Sequence, residues 1–246
     1  MSVMTEVDLR GVAEQGAADL GPDATAPQLL AWAAQTFGSR LIVASNMQDA
    51  VLVDLAAVAV SDARACTQPW GPGVLDVLFL ETGYHFAETI GTRDAVEHAY
   101  DVRIVDAQAD RTVAEQDAEF GRDLFARDPN SCCAMRKVAP LQSTLAGYDA
   151  WATGVRRVEA PTRANTPLIQ FDERFGLVKI NPIAAWSDED MDAYVAAHGI
   201  LVNPLVAQGH PSIGCAPCTA RPAPGSDPRS GRWAGTAKIE CGLHPA

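Results

Sequence analysis

The sequence predicts a single α/β domain whose sheet is mostly parallel and flanked by helices. Short apolar runs alternate with segments of helical periodicity over the first 200 residues. The chain has 246 residues, of which 48% are hydrophobic and 20% charged, which is enough for one large apolar core. We expect an N-terminal helical region over residues 1–40, the α/β domain over residues 41–202, and an irregular C-terminal segment over residues 203–246, where Pro, Gly, Ser and Cys dominate.

The individual elements follow from local patterns along the chain. Residues 26–37 space their apolar side chains as a helix does, and Pro27 is acceptable in a first turn. Residues 187–198 begin with a capping-box-like serine and aspartate and stop at Gly199. Further helices are expected over residues 49–60, 85–100, 112–120 and 133–145, and strands over residues 41–45, 76–80, 102–105, 151–154 and 177–180. In such sheets, ligands bind at the carboxyl ends of the strands.

The charge is unevenly distributed along the chain. The net charge is −12, with −13 in residues 1–130 and +1 in residues 131–246. So acidic a chain is not expected to bind nucleic acid, although the second half could form a cationic pocket for a small anion. The N-terminus has no apolar signal-peptide core, and the longest apolar stretch, residues 51–60, is too short to span a bilayer. We therefore expect a cytoplasmic protein with no membrane association.

Four of the six cysteines form the strongest chemical signal. Cys132 and Cys133 are adjacent, and Cys215 and Cys218 form a Cys-x-x-Cys pair. In a reducing compartment, such thiols more often bind metal or react than form disulfides. Four soft ligands suit zinc or an iron–sulfur cluster, and adjacent cysteines fit the separated corners of a cubane better than one tetrahedral zinc. Two buried thiols plus a redox Cys-x-x-Cys remain an alternative.

Four sequence segments resemble a known family. They are SCCAMRKVAPL at 131–141, ATGVRR at 152–157, GCAPC at 214–218 and ECGLH at 240–244. In this order they resemble the assimilatory, thioredoxin-dependent adenylyl-sulfate reductases of bacteria, which are relatives of the phosphoadenylyl-sulfate reductases. The resemblance extends from about residue 41 to residue 244, and segments 43–56 and 231–235 look most like the actinobacterial members. It implies a fold like that of the adenine nucleotide α-hydrolases.

The resemblance also implies an activity, reduction of adenosine 5′-phosphosulfate to sulfite and AMP for cysteine biosynthesis. Cys241 would attack the sulfate sulfur and become an S-sulfocysteine, and thioredoxin or a similar dithiol would release sulfite. His244 would lower the pKa of the Cys241 thiol or bind the sulfate. Family members that carry the double cysteine and the later Cys-x-x-Cys hold a [4Fe–4S] cluster, so the implied ligands are Cys132, Cys133, Cys215 and Cys218.

The substrate carries two negative charges, so cations are needed to bind it, and arginine is a good oxyanion ligand. Candidate contacts to the phosphosulfate are Lys137, Arg156, Arg157, Arg163, Arg229 and Arg232. Leu80, Thr82 and Gly154 would lie near the adenosine by family position. We also hypothesise that Lys137 couples the cluster to the substrate, because a ligated cluster is itself an anion. His85 and His98 fall on a predicted helix, where packing or surface positions are expected.

The loop from Ser45 to Asp49 lies between a strand and a helix, where backbone N–H groups can bind phosphate. It resembles the pyrophosphate loop Ser-Gly-Gly-x-Asp-Ser/Thr of the α-hydrolase superfamily. Both glycines are missing, however, and Ala50 replaces the final hydroxyl residue. This departure argues against cleavage of ATP and fits a substrate with only two linked anionic groups.

Three alternative functions remain open on the sequence. The first is a reductase of the 3′-phosphorylated nucleotide, or of both nucleotides. The second is a binding protein stabilised by zinc or a cluster, such as a redox sensor. The third is a tRNA-modifying relative that activates a base with ATP, against which the altered loop and the acidic charge both argue. Oligomeric state, physiological reductant and the role of the cluster are not predicted by the sequence.

Overall fold

The structure is a computed structural model that describes residues 6–66, 74–236, 238, 240, 242 and 243. The helices are α1 (Glu6–Leu20), α2 (Ala26–Phe37), α3 (Val51–Cys66), α4 (Ala87–Ala99), α5 (Val113–Phe120), α6 (Leu124–Arg127), α7 (Pro129–Cys133), α8 (Ala139–Leu145), α9 (Asp188–His198) and α10 (Pro204–Ala207). The strands are β1 (Leu41–Ala44), β2 (Leu75–Glu81), β3 (Val102–Gln108), β4 (Ala150–Thr153), β5 (Ile169–Asp172) and β6 (Leu177–Ile180). A π-helical turn, Ala134–Val138, joins α7 to α8.

The six strands form one sheet in the order β3-β2-β1-β4-β6-β5. All neighbouring pairs are parallel except β5–β6, which is antiparallel at the edge. The predicted α/β fold with a mostly parallel sheet is therefore confirmed. The chain leaves β1 towards β2 and β3 on one side and returns to β4 and β6 on the other. This reversal leaves a crevice at the carboxyl ends of β1 and β4, the place where open α/β sheets bind ligands.

Both faces of the sheet are covered, as parallel sheets require. Alternate residues of a strand point to opposite faces, so Val43 and Ala152 pack with α2 and α3, whereas Ile42 and Trp151 pack with α8. All four of these side chains are essentially inaccessible to solvent. Burial on both faces holds the central strands rigidly, and the ends of these strands form the floor of the crevice.

Most predicted elements are confirmed, and some to the residue. The helix over residues 26–37 has the predicted bounds because Thr25 and Gln28 form a capping box at its start. The strand over residues 177–180 also has the predicted bounds. The helix predicted over residues 133–145 is instead divided by the π-helical turn between α7 and α8. Strand β5 was not predicted.

The C-terminal segment contains little regular structure within the part that is described. Its polypeptide is held by isolated contacts, such as the antiparallel bridge between Thr219 and Arg232. The chain passes so closely here that a Cβ on Gly231 would lie 2.0 Å from the carbonyl oxygen of Ala220. None of the described helices is long and apolar enough to cross a membrane.

Candidate active site

A cleft of about 910 Å³ opens at the carboxyl ends of the central strands. Its floor is formed where β1, β2 and β4 end, at Ala44, Leu80 and Thr153. Pockets for small organic ligands have volumes of roughly 300–1,000 Å³, so the cleft has room for a nucleotide. The fold therefore places this cleft at the topological switch point of the sheet.

The substrate contacts predicted from the sequence come together in this cleft. Its lining includes Ser45, Leu80, Thr82, Lys137, Gly154, Arg156, Arg157, Arg163, Arg229 and Arg232. These residues come from five separate stretches of the chain and meet only through the fold. Their individual contacts to a substrate stay predictions, because the lining of a cleft does not show which groups a ligand touches.

The loop that follows β1 is held by contacts within the protein. The Met47 N–H donates to the Ser45 hydroxyl at 3.2 Å, and the Gln48 N–H donates to the Asn46 side chain at 3.1 Å. Met47 adopts a φ of 59°, a left-handed conformation that usually favours glycine. The Asn203 amide donates to the Met47 carbonyl at 3.0 Å and stabilises this conformation. These two N–H groups already have acceptors, so the loop differs from an open phosphate cradle.

Two of the cleft arginines are positioned by nearby oxygens. The Arg156 guanidinium forms an ion pair with Asp188 at the start of α9, with Nη1 2.8 Å from Oδ1. The Arg157 Nε donates to the carbonyl of Thr166 at 3.0 Å. Both side chains thus have a fixed direction, which limits the conformational entropy lost when they bind an anion.

Arg232 is fixed by the C-terminal segment itself. Its Nη1 donates to the Ile213 carbonyl at 3.0 Å, and its guanidinium carbon lies 4.7 Å from the centre of the Trp233 ring. The guanidinium crosses directly over Gly214, where a Cβ would lie 2.1 Å from Nη2. The backbone N–H of Trp233 donates to the backbone carbonyl of Cys218 at 3.0 Å. Gly214 and the cysteine segment together set the position of this cation.

The four clustered cysteines face one small cavity beside the cleft. Cys132, Cys133, Cys215 and Cys218 all line it and form no disulfide. Apolar or amphipathic side chains complete the wall, including Tyr84, Phe125, Pro129 and Trp233. Among the described residues, no group of three or more His, Cys, Asp or Glu side chains is arranged to hold a single metal ion. The thiols instead surround a common space.

The thiols would repel one another if they were ionised without a compensating cation. Burial first, and then the neighbouring thiols, raise the pKa of Cys132 to about 12. Burial, with Cys215 next, raises the pKa of Cys218 to about 11. A bound metal centre supplies the positive charge that such thiolates need. The donor set therefore fits a metal centre of four soft ligands.

The cysteine cavity and the cleft share part of their walls. Lys137, Cys215 and Trp233 line both spaces, and the Lys137 side chain is buried. The Thr82 hydroxyl lies 3.4 Å from the Cys215 sulfur and is itself buried at the end of β2. The two spaces therefore adjoin each other at three shared residues.

The C-terminal tail is defined here as residues 238–246, of which 238, 240, 242 and 243 are described. These residues cross the mouth of the cleft. The Lys238 ammonium donates to the Asn130 side chain at 2.6 Å, beside the double cysteine. Leu243 lines the cleft and packs against the apolar cluster beneath it. The predicted catalytic residues Cys241 and His244 lie outside the described residues.

The strongest contacts of the tail are made by its residues on either side of position 241. Glu240 accepts hydrogen bonds from Arg163, at 3.1 Å from both Nε and Nη2, and from Arg229 Nη2 at 3.0 Å. The Gly242 carbonyl accepts a short hydrogen bond from Arg174, in the turn after β5. Two arginines predicted to bind substrate are therefore also bound to the tail.

Sequence reasoning missed two residues of the site. Glu240 was part of a family motif but received no role, because its partner Arg163 is 77 residues away in the chain. His85 lines the cleft, with Nε2 2.8 Å from the Leu80 carbonyl oxygen. Burial lowers the pKa of His85. A packing or surface position was predicted for this histidine, and no local pattern indicates that it borders the cleft.

Known reductases resemble this chain over almost its whole length. The profile of the family described as the phosphoadenosine phosphosulfate reductase domain matches residues 40–221. The adenosine 5′-phosphosulfate reductase of Rhodococcus opacus is 65% identical over 254 residues, covering 99% of this chain and 98% of the relative. The reductase of the same name from Mycolicibacterium smegmatis is 64% identical over 244 residues, with the same coverage of both chains. That of Mycobacterium tuberculosis is 56% identical over 258 residues, covering 98% and 96%.

Solved structures show the same fold. A phosphoadenylyl-sulfate reductase from Candida auris, in complex with phosphate, superposes with a TM-score of 0.65 at 23% identity, covering 89% of this chain and 99% of that one. An FMN adenylyltransferase from Candida glabrata, in complex with FAD and pyrophosphate, gives a TM-score of 0.54 at 14% identity and covers 89% and 74%. At these identities the likeness concerns the fold alone.

Proposed function

Because this chain belongs to the phosphoadenosine phosphosulfate reductase family, we propose that it reduces adenosine 5′-phosphosulfate to sulfite and AMP in assimilatory sulfate reduction. Relatives named for this activity, at 56–65% identity over almost the whole chain, support the choice of substrate. The observation that carries the proposal is the cation-lined cleft, which shares Lys137 and Cys215 with the cysteine cavity. We infer a cytoplasmic reaction, since thiols are kept reduced there.

The first proposed step is sulfonation of Cys241. Its thiolate attacks the sulfate sulfur, and an S–S bond forms while the bond between that sulfur and the oxygen bridging to phosphate breaks. AMP leaves with the electron pair of the broken bond. The cations of the cleft stabilise the charge that moves onto the leaving phosphate. His244 is proposed to lower the pKa of the thiol or to bind the sulfate.

The second proposed step is release of sulfite by thioredoxin or a similar dithiol protein. One thiolate of the dithiol attacks the Cys241 sulfur, and sulfite leaves with the electron pair of the S–S bond. The second thiol then displaces Cys241 from the mixed disulfide. The dithiol becomes a disulfide, and its two electrons account for the reduction of sulfate sulfur to sulfite.

The chain's own residues divide into two groups in this proposal. Ser45, Leu80, Thr82 and Gly154, at the ends of the strands, would bind the nucleoside. The arginines at positions 156, 157, 229 and 232, with Lys137, would face the phosphosulfate. Arg156 and Arg157 are already oriented by protein contacts, so binding the anion needs little rearrangement.

We also propose that Cys132, Cys133, Cys215 and Cys218 hold a [4Fe–4S] cluster. The proposal is supported by the common cavity that these thiols line and by the raised pKa values of Cys132 and Cys218. Adjacent cysteines suit the separate irons of a cubane, whereas one zinc needs four ligands around a single point. When bound, the cluster would supply a fixed charge and a link between α7 and the C-terminal segment. Thiol chemistry already accounts for both electrons.

Lys137 is proposed to couple the cysteine site to the substrate. It is buried, and it borders both the cysteine cavity and the cleft. An ammonium group held between a cluster anion and a substrate anion stabilises both. Replacement of Lys137 by alanine should therefore weaken substrate affinity and turnover together, and unchanged values of both would exclude this coupling.

The proposed function is tested with protein prepared anaerobically and supplied with reduced thioredoxin. Sulfite should form from adenosine 5′-phosphosulfate, together with AMP, faster than sulfite forms from the 3′-phosphorylated analogue, and Cys241→Ser should abolish sulfite formation from either nucleotide. Iron and sulfide analysis should give about four of each per chain. Faster turnover of the 3′-phosphorylated nucleotide would favour the alternative substrate. No sulfite from either nucleotide, in protein that retains its metal, would favour a binding protein.

A further inference from the structure

Glu240 is the one described tail residue whose side chain forms an ion pair, and it precedes the proposed nucleophile directly. Its carboxylate contacts Arg163 through both oxygens and Arg229 through one. The side chains of all three residues are only 11–16% exposed. Charge-assisted hydrogen bonds of this bidentate kind are strong and directional. The contact therefore holds Glu240 at one position relative to the two arginines. A long-range charge attraction alone would not do so.

All three guanidinium nitrogens of Arg163 donate hydrogen bonds to carboxylates. Its Nε and Nη2 donate to Glu240, and its Nη1 donates to Glu159. The Thr162 hydroxyl adds a further contact to the Glu240 carboxylate at 3.4 Å. Arg229, in contrast, meets Glu240 through Nη2 alone. The geometry thus favours a tail-binding role for Arg163, whereas Arg229 can contact the tail and a substrate anion together.

The tail is held on the other side of position 241 as well. The Gly242 carbonyl accepts a hydrogen bond from Arg174, and Leu243 packs on the apolar cluster that includes Trp151. Position 241 is therefore bracketed by an anchor on each side. Of the hydrogen bonds at residues 240 and 242, only those of Glu240 use a side chain of the tail, so they can be removed without changing the backbone.

We propose that Glu240 is a positioning residue for sulfonation, which fixes the tail across the cleft through Arg163 and Arg229. This inference rests on the proposed function and adds a role for a residue that does not touch the reacting atoms. Attack at sulfur requires alignment of the thiolate with the breaking bond, and a misplacement of about 1 Å can cost about 100-fold in rate. Arg163 is accordingly assigned a tail-binding role.

The competing interpretation is that Glu240 occupies the arginines as a substitute for the substrate anion. The two interpretations predict opposite effects of Glu240→Gln. Loss of a positioning contact slows sulfonation and leaves nucleotide affinity unchanged. Loss of a competing anion tightens the binding of AMP, because the arginines then become available to its phosphate.

The test uses the cluster-loaded full chain carrying Glu240→Gln. In a single turnover with saturating adenosine 5′-phosphosulfate and no thioredoxin, the rate at which sulfonate appears on Cys241 should fall about 10- to 100-fold. The dissociation constant of AMP should stay within about twofold of the unaltered protein. Glu97→Gln, which removes an exposed carboxylate from α4, is the matched control and should change neither value. An unchanged sulfonation rate, or tighter AMP binding, would overturn the positioning role.

A double-mutant cycle tests the assignment of Arg163. Because Arg163 acts through Glu240, Arg163→Gln combined with Glu240→Gln should slow sulfonation no further than Glu240→Gln alone. Weaker AMP binding caused by Arg163→Gln in both backgrounds would instead show a substrate contact and overturn the assignment.

Alkylation of Cys241 by iodoacetamide separates this inference from the proposed function, because it needs no substrate. Glu240→Gln should raise the alkylation rate several-fold by releasing the tail, and an unchanged rate would overturn the positioning role. A missing sulfonate adduct in the unaltered protein would instead overturn the proposed reaction.

Discussion

The sheet and the C-terminal segment are stabilised in different ways. Along β1 and β4 nearly every side chain is buried between two layers of helices, and the residues in contact are apolar. Beyond residue 203, the chain has short turns and isolated bridges, and it is held by arginines, single backbone hydrogen bonds and close glycine contacts. The first region resists unfolding through burial, whereas the second depends on specific polar contacts and, as we propose, on a metal centre.

This difference assigns separate tasks to the two regions. The rigid sheet fixes where the nucleotide would bind, since the crevice is set by strand order. The C-terminal segment brings the second pair of cysteines, two arginines and the tail to that crevice. In the proposed reaction, the Cys241 thiol must meet first a buried substrate and then a protein dithiol. A region held by a few polar contacts can leave the cleft and return to it, as these two encounters require. Substitutions should therefore separate stability from activity.

The largest effect is expected from Cys215→Ala. This change removes a thiol that borders both cavities, so iron content should fall sharply and activity should fall at least about 1,000-fold. The helical signal in circular dichroism should be nearly unchanged, because the sheet and its helices do not depend on this residue. A variant that keeps its iron and its activity would show that the two regions are not linked through these cysteines.

The next largest effect is expected from Leu30→Ala in α2, and it concerns stability. Leu30 is fully buried in the main core, so its truncation should lower the free energy of unfolding by about 2–5 kcal/mol. The rate per folded molecule should not change. Val58→Ala, at a position 55% exposed, is the control and should cost less than about 0.5 kcal/mol. Loss of activity in proportion to stability would contradict the separation of tasks.

A buried lysine provides a test of the sheet region through pH. Burial lowers the pKa of Lys179 to about 8, below its ordinary value of 10.5. Between these two values the unfolded chain binds a proton that the folded protein does not, so stability should rise with pH across this window. The difference in unfolding free energy between the unaltered protein and Lys179→Met should change by about 3 kcal/mol from pH 8 to pH 10.5. A difference that does not vary with pH would show that Lys179 titrates normally.

The smallest effect is expected from Gly214→Ala. The added Cβ would lie 2.1 Å from the Arg232 guanidinium, so this side chain must shift from the position in which the Ile213 carbonyl and Trp233 hold it. The KM for substrate should rise about 10-fold, as expected for loss of one charge-assisted contact. Gly11→Ala, in open space on α1, is the control and should leave KM unchanged. An equal KM for both variants would show that Arg232 does not contact the substrate.

The regular elements were predictable because their signals are local. The capping box at Thr25 and the β-branched run at residues 177–180 each specify an element within a few residues. Strand β5 has no such signal, since its four residues include Gln170 and Asp172, and it forms only by pairing with β6. The π-helical turn inside the predicted helix over residues 133–145 begins directly after the double cysteine, and no feature used in the prediction marks it.

The residues predicted to bind substrate line one cleft, and their substrate contacts stay predictions. The contacts within the cleft were not predictable from the sequence. The pairing of Glu240 with Arg163 joins residues 77 positions apart, and that of Thr82 with Cys215 joins residues 133 positions apart. No periodicity in the sequence encodes such pairs. They follow from the order of the strands and from the path of the C-terminal segment.

The central claim is that the tail carries the nucleophile to a nucleotide bound at the sheet. The most direct test is the intact mass of anaerobically prepared protein mixed with adenosine 5′-phosphosulfate without thioredoxin, followed by peptide mapping. We predict one sulfonate, on the peptide that carries Cys241, which thioredoxin removes with release of sulfite. A sulfonate on another cysteine, or no adduct in protein that retains its metal, would contradict the claim.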